Sequence, residues 1–166
     1  MKNFTYFVCL MAIFTLSLTS CSKDSVEEMD SANLNAKVPP IAYSSFELQV
    51  LDLVNNYRAT QNLPELEFLD ESSVLAESHN EHMILNDEVC HDDFGARYQT
   101  LVHDVHAKAV SENVAYGYSS AEAVVNAWIK SEGHRENMLG DHTHFGIAIS
   151  AGSDGKYYFT NIFVRK

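Results

Sequence analysis

Cysteine is scarce in this chain, which has three cysteines among 166 residues. Cys9 lies inside an apolar N-terminal segment and Cys21 closely follows that segment, so Cys90 is left without a partner. No intrachain disulfide is therefore available to the folded part of the protein. The sequence predicts a domain whose core is held together by packing alone.

Basic residues are also few, because 11 lysines and arginines face 23 aspartates and glutamates, for a net charge of −12. Neutralisation of phosphates supplies much of the affinity for nucleic acids, so this balance argues against nucleic acid as a partner. Acidity otherwise indicates only solubility. The chain also lacks the His-Glu-x-x-His motif of zinc proteases and the serine nucleophile elbow of hydrolases.

No apolar run is long enough for a comfortable membrane span, which needs roughly 20 residues. The uncharged run Phe4–Leu18 follows Lys2 and is typical of a secretory signal. Its end, Leu18-Thr19-Ser20-Cys21, resembles the bacterial lipoprotein signal, in which the cysteine is lipidated and becomes the new N-terminus. We therefore predict a signal peptide at 1–20 and a lipid anchor on Cys21. The alternative is a plain signal peptide beside an incidental cysteine.

The segment after Cys21 has a composition that does not predict a core. Residues 21–43 are rich in Ser, Asp, Glu and Asn and end shortly after Pro39-Pro40, which predicts a flexible tether with a stiff hinge. Residues 44–166 are enough for one domain with a substantial core.

Apolar residues at helical spacing predict that the first part of the domain is helical. Ser44 and Glu47 have the pattern of a capping box. Asp70 is expected to cap the next helix, and Ser119 with Glu122 to open the last one. The predicted helices are 45–61, 71–86, 94–101 and 120–131.

The C-terminal part of the chain changes to a strand pattern. Residues 145–150 and 156–164 are rich in β-branched and aromatic residues, and Asp154-Gly155 between them is a turn signal, which predicts a hairpin. The short segment 110–115 fits either a strand or a turn. Helices followed by a terminal antiparallel hairpin predict an α+β domain.

Chemically capable side chains lie in three places along the domain. These places are Cys90-His91, Glu112-Asn113, and Ser131 with His134-Arg135. Imidazole, carboxylate and hydroxyl groups can serve acid–base chemistry or bind a metal, although their long spacing leaves open whether they meet. The third place follows Trp128, which ends an amphipathic helix, and Gly133, which is expected to allow a sharp turn. We interpret this stretch as one wall of a site.

Several other possible metal ligands are interpreted as structural residues that bind no metal. His79 and His82, like His103 and His106, have loose metal-ligand spacings that match no zinc motif, and they are predicted to be packed or solvated. Cys90 is predicted to be a buried, inert thiol.

Six motifs, spread over residues 46–163, occur in the order found in the CAP superfamily (cysteine-rich secretory, antigen 5 and pathogenesis-related 1 proteins), and the chain resembles its bacterial branch. They are Asn55-Asn56-Tyr57-Arg58 with Asn62-Leu63-Pro64-Glu65-Leu66; Phe68-Leu69-Asp70 with Leu75-Ala76; His91 with Arg97; Glu112-Asn113-Val114-Ala115; Trp128 to Leu139; and Gly146-Ile147-Ala148 with Tyr158 to Phe163. The resemblance implies a three-layer α-β-α sandwich around a largely antiparallel sheet.

The resemblance also implies a cleft lined by two histidines and two acids, which we call the predicted cleft. His91, Glu112 and His134 match three of its four places, and Ser131 stands where eukaryotic relatives carry the second acid. This replacement predicts at most a weakly bound divalent metal such as zinc, held by His91 and His134. Residues expected to support the cleft are Asn113, Trp128, Gly133, Arg135 and Asn137.

Three functions fit these expectations. The leading interpretation is a lipid-anchored domain in the bacterial cell envelope, periplasmic or at the cell surface, whose predicted cleft binds a lipid, a glycan or a protein. The second is a metal-dependent hydrolase with Glu112 as general base. The third is a non-catalytic scaffold. Binding is favoured over catalysis because Glu112 is also expected to hold its own turn.

Overall fold

The computed structural model describes residues 40–166; the predicted signal peptide, Cys21 and most of the predicted tether lie outside this part. Five helices and four strands make up the described domain. The helices are α1 (Ser45–Thr60), α2 (Asp70–Asn86), α3 (Phe94–Val105), α4 (Ala121–Lys130) and α5 (Glu132–Leu139). The strands are β1 (Glu67–Phe68), β2 (Ala109–Tyr116), β3 (His144–Ala151) and β4 (Tyr157–Arg165).

The strands form one sheet in the order β1-β3-β4-β2, with β1 parallel to β3 and the other pairs antiparallel. The predicted hairpin is confirmed, since β3 and β4 pair along their whole length from His144–Val164 to Ala151–Tyr157. Gly155 adopts a φ of 77° in the connecting turn, a conformation that glycine tolerates. The segment 110–115 lies within β2 and is therefore a strand.

Side chains of β4 alternate between two helical layers, as the period of two in a strand requires. Phe159 and Phe163 pack in a core with residues of α1 and α4, including Val54 and Trp128. Ile162, on the opposite face of the strand, packs with apolar residues of α2 and α3. Helices therefore cover both faces of the sheet, which confirms the three-layer α-β-α sandwich. None of the helices within residues 40–166 is long and apolar enough to cross a membrane.

The ends of the helices agree only in part with the predicted caps. The capping box of Ser44 and Glu47 is present. In α4, however, the capping residue is Ser120 and not Ser119, because the Ser120 hydroxyl accepts from the backbone N–H of Ala123. Helix α3 continues to Val105, beyond the predicted end at residue 101.

The prediction that Asp70 caps α2 is wrong. The carboxylate of Asp70 instead accepts a hydrogen bond of 2.8 Å from the hydroxyl of Tyr43, and α2 has no side-chain cap. The ring of Tyr43 also stacks on Phe68 with 3.7 Å between centroids. The predicted tether therefore does not extend to residue 43, because Tyr43 and Ile41, whose N–H points at Asp70, already pack on the domain.

The prediction that Gly133 makes a sharp turn is also wrong. The chain bends at Ser131, which has extended backbone angles between α4 and α5. Gly133 lies inside α5, and a Cβ atom added there would meet nothing within 4 Å. The break between the two helices therefore does not depend on glycine.

Candidate functional site

Glu112 is the centre of a buried polar cluster on the edge strand β2. Its side chain is only 2% exposed, and Arg97 of α3 pairs with it through two parallel hydrogen bonds. Arg97 Nε donates to Oε2 at 2.8 Å and Nη2 donates to Oε1 at 2.9 Å. A buried carboxylate is costly unless it is paired and hydrogen-bonded, so this fork stabilises the charge of Glu112. We call Glu112, Arg97, His91 and His79 the Glu112 cluster.

His91 joins the cluster from the connection between α2 and α3. Its Nδ1 lies 2.8 Å from Oε1 of Glu112, while 52% of its side chain is exposed. An ionised carboxylate only accepts hydrogen bonds, so Nδ1 carries the proton in this contact. In the neutral ring, Nε2 is then the nitrogen with a free lone pair. The contact thus selects the tautomer of His91.

His79, on α2, completes the cluster. Its Nε2 lies 2.8 Å from the backbone oxygen of Cys90 and 3.9 Å from Oε1 of Glu112. Burial lowers the pKa of His79 below its usual value, and the charge of Arg97 lowers it further. His79 is therefore neutral at physiological pH, and its Nε2–H supports the backbone of the residue that precedes His91.

Two asparagines tie helix α5 to strand β2. Asn113 Nδ2 donates to the backbone oxygen of His134 at 3.0 Å. Asn137 Nδ2 donates to the backbone oxygen of Glu112 at 3.0 Å and to Oδ1 of Asn113 at 2.9 Å. These bonds hold the backbone of His134 against the strand that carries Glu112.

The remaining support residues act on the ends of α4. Trp128 Nε1 donates to the backbone oxygen of Val114 at 3.3 Å, and Arg135 Nη1 donates to the backbone oxygen of Ile129 at 3.0 Å. Gly133 has no comparable contact, because space is open around it. Trp128 therefore anchors α4 to β2, and Arg135 closes the end of α4 from the first turns of α5.

His134 approaches His91 without contacting Glu112 directly. Burial lowers the pKa of His134, and the charge of His91 lowers it further. Ser131 accepts from the backbone N–H of Arg135 through its own backbone oxygen, at 2.9 Å. Within residues 40–166 its side chain makes no hydrogen bond to His91, Glu112 or His134. The structure thus joins His91 to Glu112, brings His134 within electrostatic reach of His91, and gives the Ser131 side chain no hydrogen bond to any of them within residues 40–166.

Residues 51–164 match the sequence model of the "Cysteine-rich secretory protein family" (CAP), which is more than half of the chain. The chain belongs to the CAP family. Two curated relatives come from Bacillus subtilis (strain 168). The "Uncharacterized membrane protein YlbC" is 36% identical over 123 residues, covering 72% of this chain and 34% of the relative. The "Uncharacterized protein YkwD" is 31% identical over 119 residues, covering 69% of this chain and 46% of the relative. The match therefore spans less than half of either relative.

Solved structures share the fold of this CAP domain. An outer surface protein from Borrelia burgdorferi has a TM-score of 0.67 at 23% identity, covering 76% of this chain and 96% of that one. An extracellular protein with an SCP domain from Bacillus anthracis str. Ames has a TM-score of 0.62 at 28% identity, covering 78% of this chain and 45% of that one. At 23% identity, the similarity to the Borrelia burgdorferi protein shows a shared fold and nothing more.

The Glu112 cluster does not fit a zinc hydrolase with Glu112 as its base. Both oxygens of Glu112 are engaged by N–H donors of Arg97, and Oε1 also accepts from His91. Among residues 40–166, the groups of three side chains with ligand atoms within 4.8 Å of one another do not include His91, Glu112 and His134 together. A metal held by His91 and His134 alone stays a prediction.

Sequence reasoning missed two members of the Glu112 cluster. Arg97 was recognised only as part of a family motif, and its pairing with Glu112 depends on where α3 packs. His79 was treated as packed or solvated, without a link to Glu112. A signal for it exists, because His79 and His82 are three residues apart and therefore share one face of α2.

Proposed function

We propose that this CAP domain is a lipid-anchored binding module of the bacterial cell envelope. Its ligand would be a neutral, hydroxyl-rich molecule such as a glycan, bound at the face formed by His91 and His134. The observation that carries this proposal is the contact between Nδ1 of His91 and the buried Glu112. It leaves Nε2 of a half-exposed imidazole as an oriented acceptor.

The engagement of Glu112 favours binding over hydrolysis. A general base must present a lone pair that water or substrate can reach, but the side chain of Glu112 is only 2% exposed and three of its four lone-pair positions already accept hydrogen bonds. Arg97 occupies both oxygens of Glu112 with short, charge-assisted bonds, which are stronger than ordinary hydrogen bonds. Glu112 thus serves as a positioning group that sets the tautomer of His91, while His91 is the residue that reaches solvent.

The surroundings of His91 favour a polar ligand over a lipid chain. His91 contacts Glu112 and precedes the charged Asp92 in the chain, and His79 and Arg97 lie against the same Glu112 carboxylate. Acyl chains bind in predominantly apolar pockets, whereas hydroxyl groups pair with imidazole acceptors and donors. His134, kept neutral by its lowered pKa, can offer a second hydrogen-bonding ring. The net charge of −12 disfavours strongly anionic polymers.

The envelope location rests on the N-terminal sequence and on relatives. Leu18-Thr19-Ser20-Cys21 has the form of a lipoprotein signal, although it lies outside the described residues. One relative is named a membrane protein, and a structural neighbour is named extracellular. Replacing Cys21 by Ala should abolish labelling with a radioactive fatty acid and release the chain from membrane fractions. Membrane retention of an unlabelled Cys21→Ala chain would contradict the anchor.

Glycan binding can be measured by nuclear magnetic resonance on the full chain in detergent. A soluble oligomer of N-acetylglucosamine should shift the side-chain imidazole signals of His91 and His134. His91→Ala and His134→Ala should each weaken binding about 2- to 10-fold, which corresponds to the loss of one net hydrogen bond. His103→Ala is the control, because His103 is exposed and its bonded partner is its neighbour Asp104.

The alternatives have distinct outcomes in the same experiment. Shifts with phospholipid vesicles but not with the oligomer would favour a lipid ligand. An absence of shifts with both probes, with unchanged stability in the His91 and His134 variants, would favour a scaffold and contradict the proposal.

A further inference from the structure

A second group of potential ligands lies beside the Glu112 cluster and is separate from it. His82 on α2 and Cys90 and Asp92 on the α2–α3 connection place one ligand atom each within 4.8 Å of the others. We propose that His82, Cys90 and Asp92 form a binding site for a zinc-class divalent ion. This inference does not depend on the proposed function, because none of the three residues belongs to the predicted cleft.

The distances suit tetrahedral zinc after small side-chain movements. Zinc bond lengths and a tetrahedral angle place neighbouring ligand atoms about 3.3–3.6 Å apart. Nε2 of His82 and Oδ2 of Asp92 are already 3.7 Å apart. These side chains are 37% and 69% exposed, so they can rotate to close the remaining gaps. Three protein ligands would leave a fourth position for water.

The ligand atoms are mostly uncommitted to other partners. Within residues 40–166, the carboxylate of Asp92 and the thiol of Cys90 have no hydrogen-bond partner, and the separation of Asp92 from His82 is too long for a hydrogen bond. The amide of Asn86 touches the ring of His82 at 3.3 and 3.4 Å but makes its shortest bond, 2.9 Å, to the His82 backbone oxygen. This availability contrasts with Glu112, whose oxygens are both engaged.

The ligand set selects for a particular kind of ion. A thiolate with an imidazole favours zinc and related soft or borderline ions, whereas magnesium and calcium prefer oxygen ligands alone. A cavity of about 250 Å³, lined in part by His82 and Asp92, opens beside the site and gives an ion and its water a path. Binding would release the proton of the Cys90 thiol, since the thiolate is the ligand.

The position of the site links it to the Glu112 cluster. Cys90 and Asp92 flank His91 in the chain. Their backbone oxygens already accept from His79 Nε2 at 2.8 Å and from Arg97 Nη1 at 2.7 Å. An ion bound by His82, Cys90 and Asp92 would hold the α2–α3 connection against α2 through side chains, in addition to these backbone hydrogen bonds. Metal occupancy would thus restrict the movement of His91 relative to Glu112.

Cobalt(II) is a suitable probe, because thiolate ligation gives it a near-ultraviolet charge-transfer band that oxygen and nitrogen ligands do not produce. The full chain, purified in detergent, reduced and freed of metal by a chelator, should develop this band and lose it when zinc is added. Cys90→Ser should lack the band. His82→Ala and Asp92→Asn should each weaken cobalt binding by at least about 10-fold, since losing a direct ligand costs no less than losing an outer-shell partner, which costs about 10- to 100-fold.

Two controls separate this site from others. His103→Ala removes an exposed histidine that contacts a carboxylate, and it should leave the band and the affinity unchanged. His134→Ala removes the candidate ligand of the predicted cleft and should also leave them unchanged. Circular dichroism and thermal unfolding of each metal-free variant establish that it is folded.

Three results would overturn the proposal. One is the absence of a thiolate band in folded wild-type protein. Another is an affinity that Cys90→Ser, His82→Ala and Asp92→Asn all retain. The third is loss of binding in His134→Ala, which would place the metal in the predicted cleft.

Discussion

Arg97 and Glu112 form a bidentate pair between α3 and β2, with donor–acceptor distances of 2.8 and 2.9 Å and both side chains shielded from water. The pair adds a polar link between two elements that also meet in the apolar cluster of Leu101, Val105 and Val110. It also orients His91, because the oxygen that accepts from Nη2 of Arg97 accepts from Nδ1 of His91 as well. The stability of the domain and the orientation of the His91 imidazole therefore depend on the same carboxylate, that of Glu112.

Removing one partner of this pair should destabilise the domain strongly. Arg97→Ala leaves a buried carboxylate without its partner, and breaking a buried ion pair typically costs about 3–5 kcal/mol. Urea denaturation should show this loss in the free energy of unfolding. Arg165→Ala is the matched control, because Arg165 pairs with Asp141 at the exposed surface, where an ion pair contributes at most about 1 kcal/mol. Equal losses in the two variants would contradict the assigned role of Arg97.

His142 should make the domain sensitive to mild acid. It is 7% exposed, and its Nδ1 has no hydrogen-bond partner among residues 40–166. Burial is the main cause that lowers its pKa to about 4; the charges of Arg58 and Arg165 act in the same direction, and that of Asp141 opposes them. Above about pH 6.5 the ring is neutral in both states. Between pH 6.5 and 4 only the unfolded chain takes up the proton, so stability falls as the pH falls.

The pH effect of His142 has a defined size and a defined control. Lowering the pKa of His142 from 6.5 to about 4 corresponds to a loss of about 3 kcal/mol in the free energy of unfolding between pH 6.5 and pH 4. Urea denaturation at several pH values should show a steep decline in wild type and a shallower one in His142→Phe, whose ring can still stack on Phe163. His103→Ala should retain the wild-type slope, since His103 is exposed. An unchanged slope in His142→Phe would refute the assignment.

Tyr43 should mark the true start of the folded domain. Its hydroxyl contacts Asp70 at 2.8 Å and Ser73 at 3.0 Å, and its ring stacks on Phe68. A chain that begins at residue 40 should match the thermal midpoint of one that begins at residue 22. Tyr43→Phe should lower the free energy of unfolding by about 1–2 kcal/mol, because the partly buried carboxylate of Asp70 loses a donor, and Tyr43→Ala should lower it further. Equal stability of wild type and Tyr43→Ala would show that residues 22–43 are a tether throughout.

Sequence patterns predicted those parts of the fold that depend on short-range signals. Apolar spacing located α1, and the Asp154-Gly155 turn located the hairpin of β3 and β4, because each signal lies within its own element. The capping role predicted for Asp70 is wrong because Tyr43, which lies 27 residues away in the chain, binds its carboxylate in the folded domain. A local cap preference cannot reveal such a competitor.

The candidate site was less accessible to prediction for the same reason. Family motifs singled out His91 and Glu112, whereas the fork of Arg97 requires α3 to pack beside β2. Likewise, His82 meets Cys90 and Asp92 only because the connection after α2 folds back along that helix. Both arrangements are determined by the packing of whole elements, which spacing along the chain does not encode.

Gly133 and Gly146 should respond in opposite ways to the same substitution. Gly133 lies in α5 with open space around it, so Gly133→Ala should leave stability unchanged or raise it by about 0.5–1 kcal/mol, the usual preference for alanine in helices. Gly146 lies in β3, where a Cβ atom would come within 2.6 Å of the backbone of Ser72. Gly146→Ala must therefore push α2 away from the sheet, and overpacking of this kind typically costs about 1–3 kcal/mol. Thermal unfolding of the two variants measures both effects, and a destabilised Gly133→Ala would restore the turn that the sequence suggested.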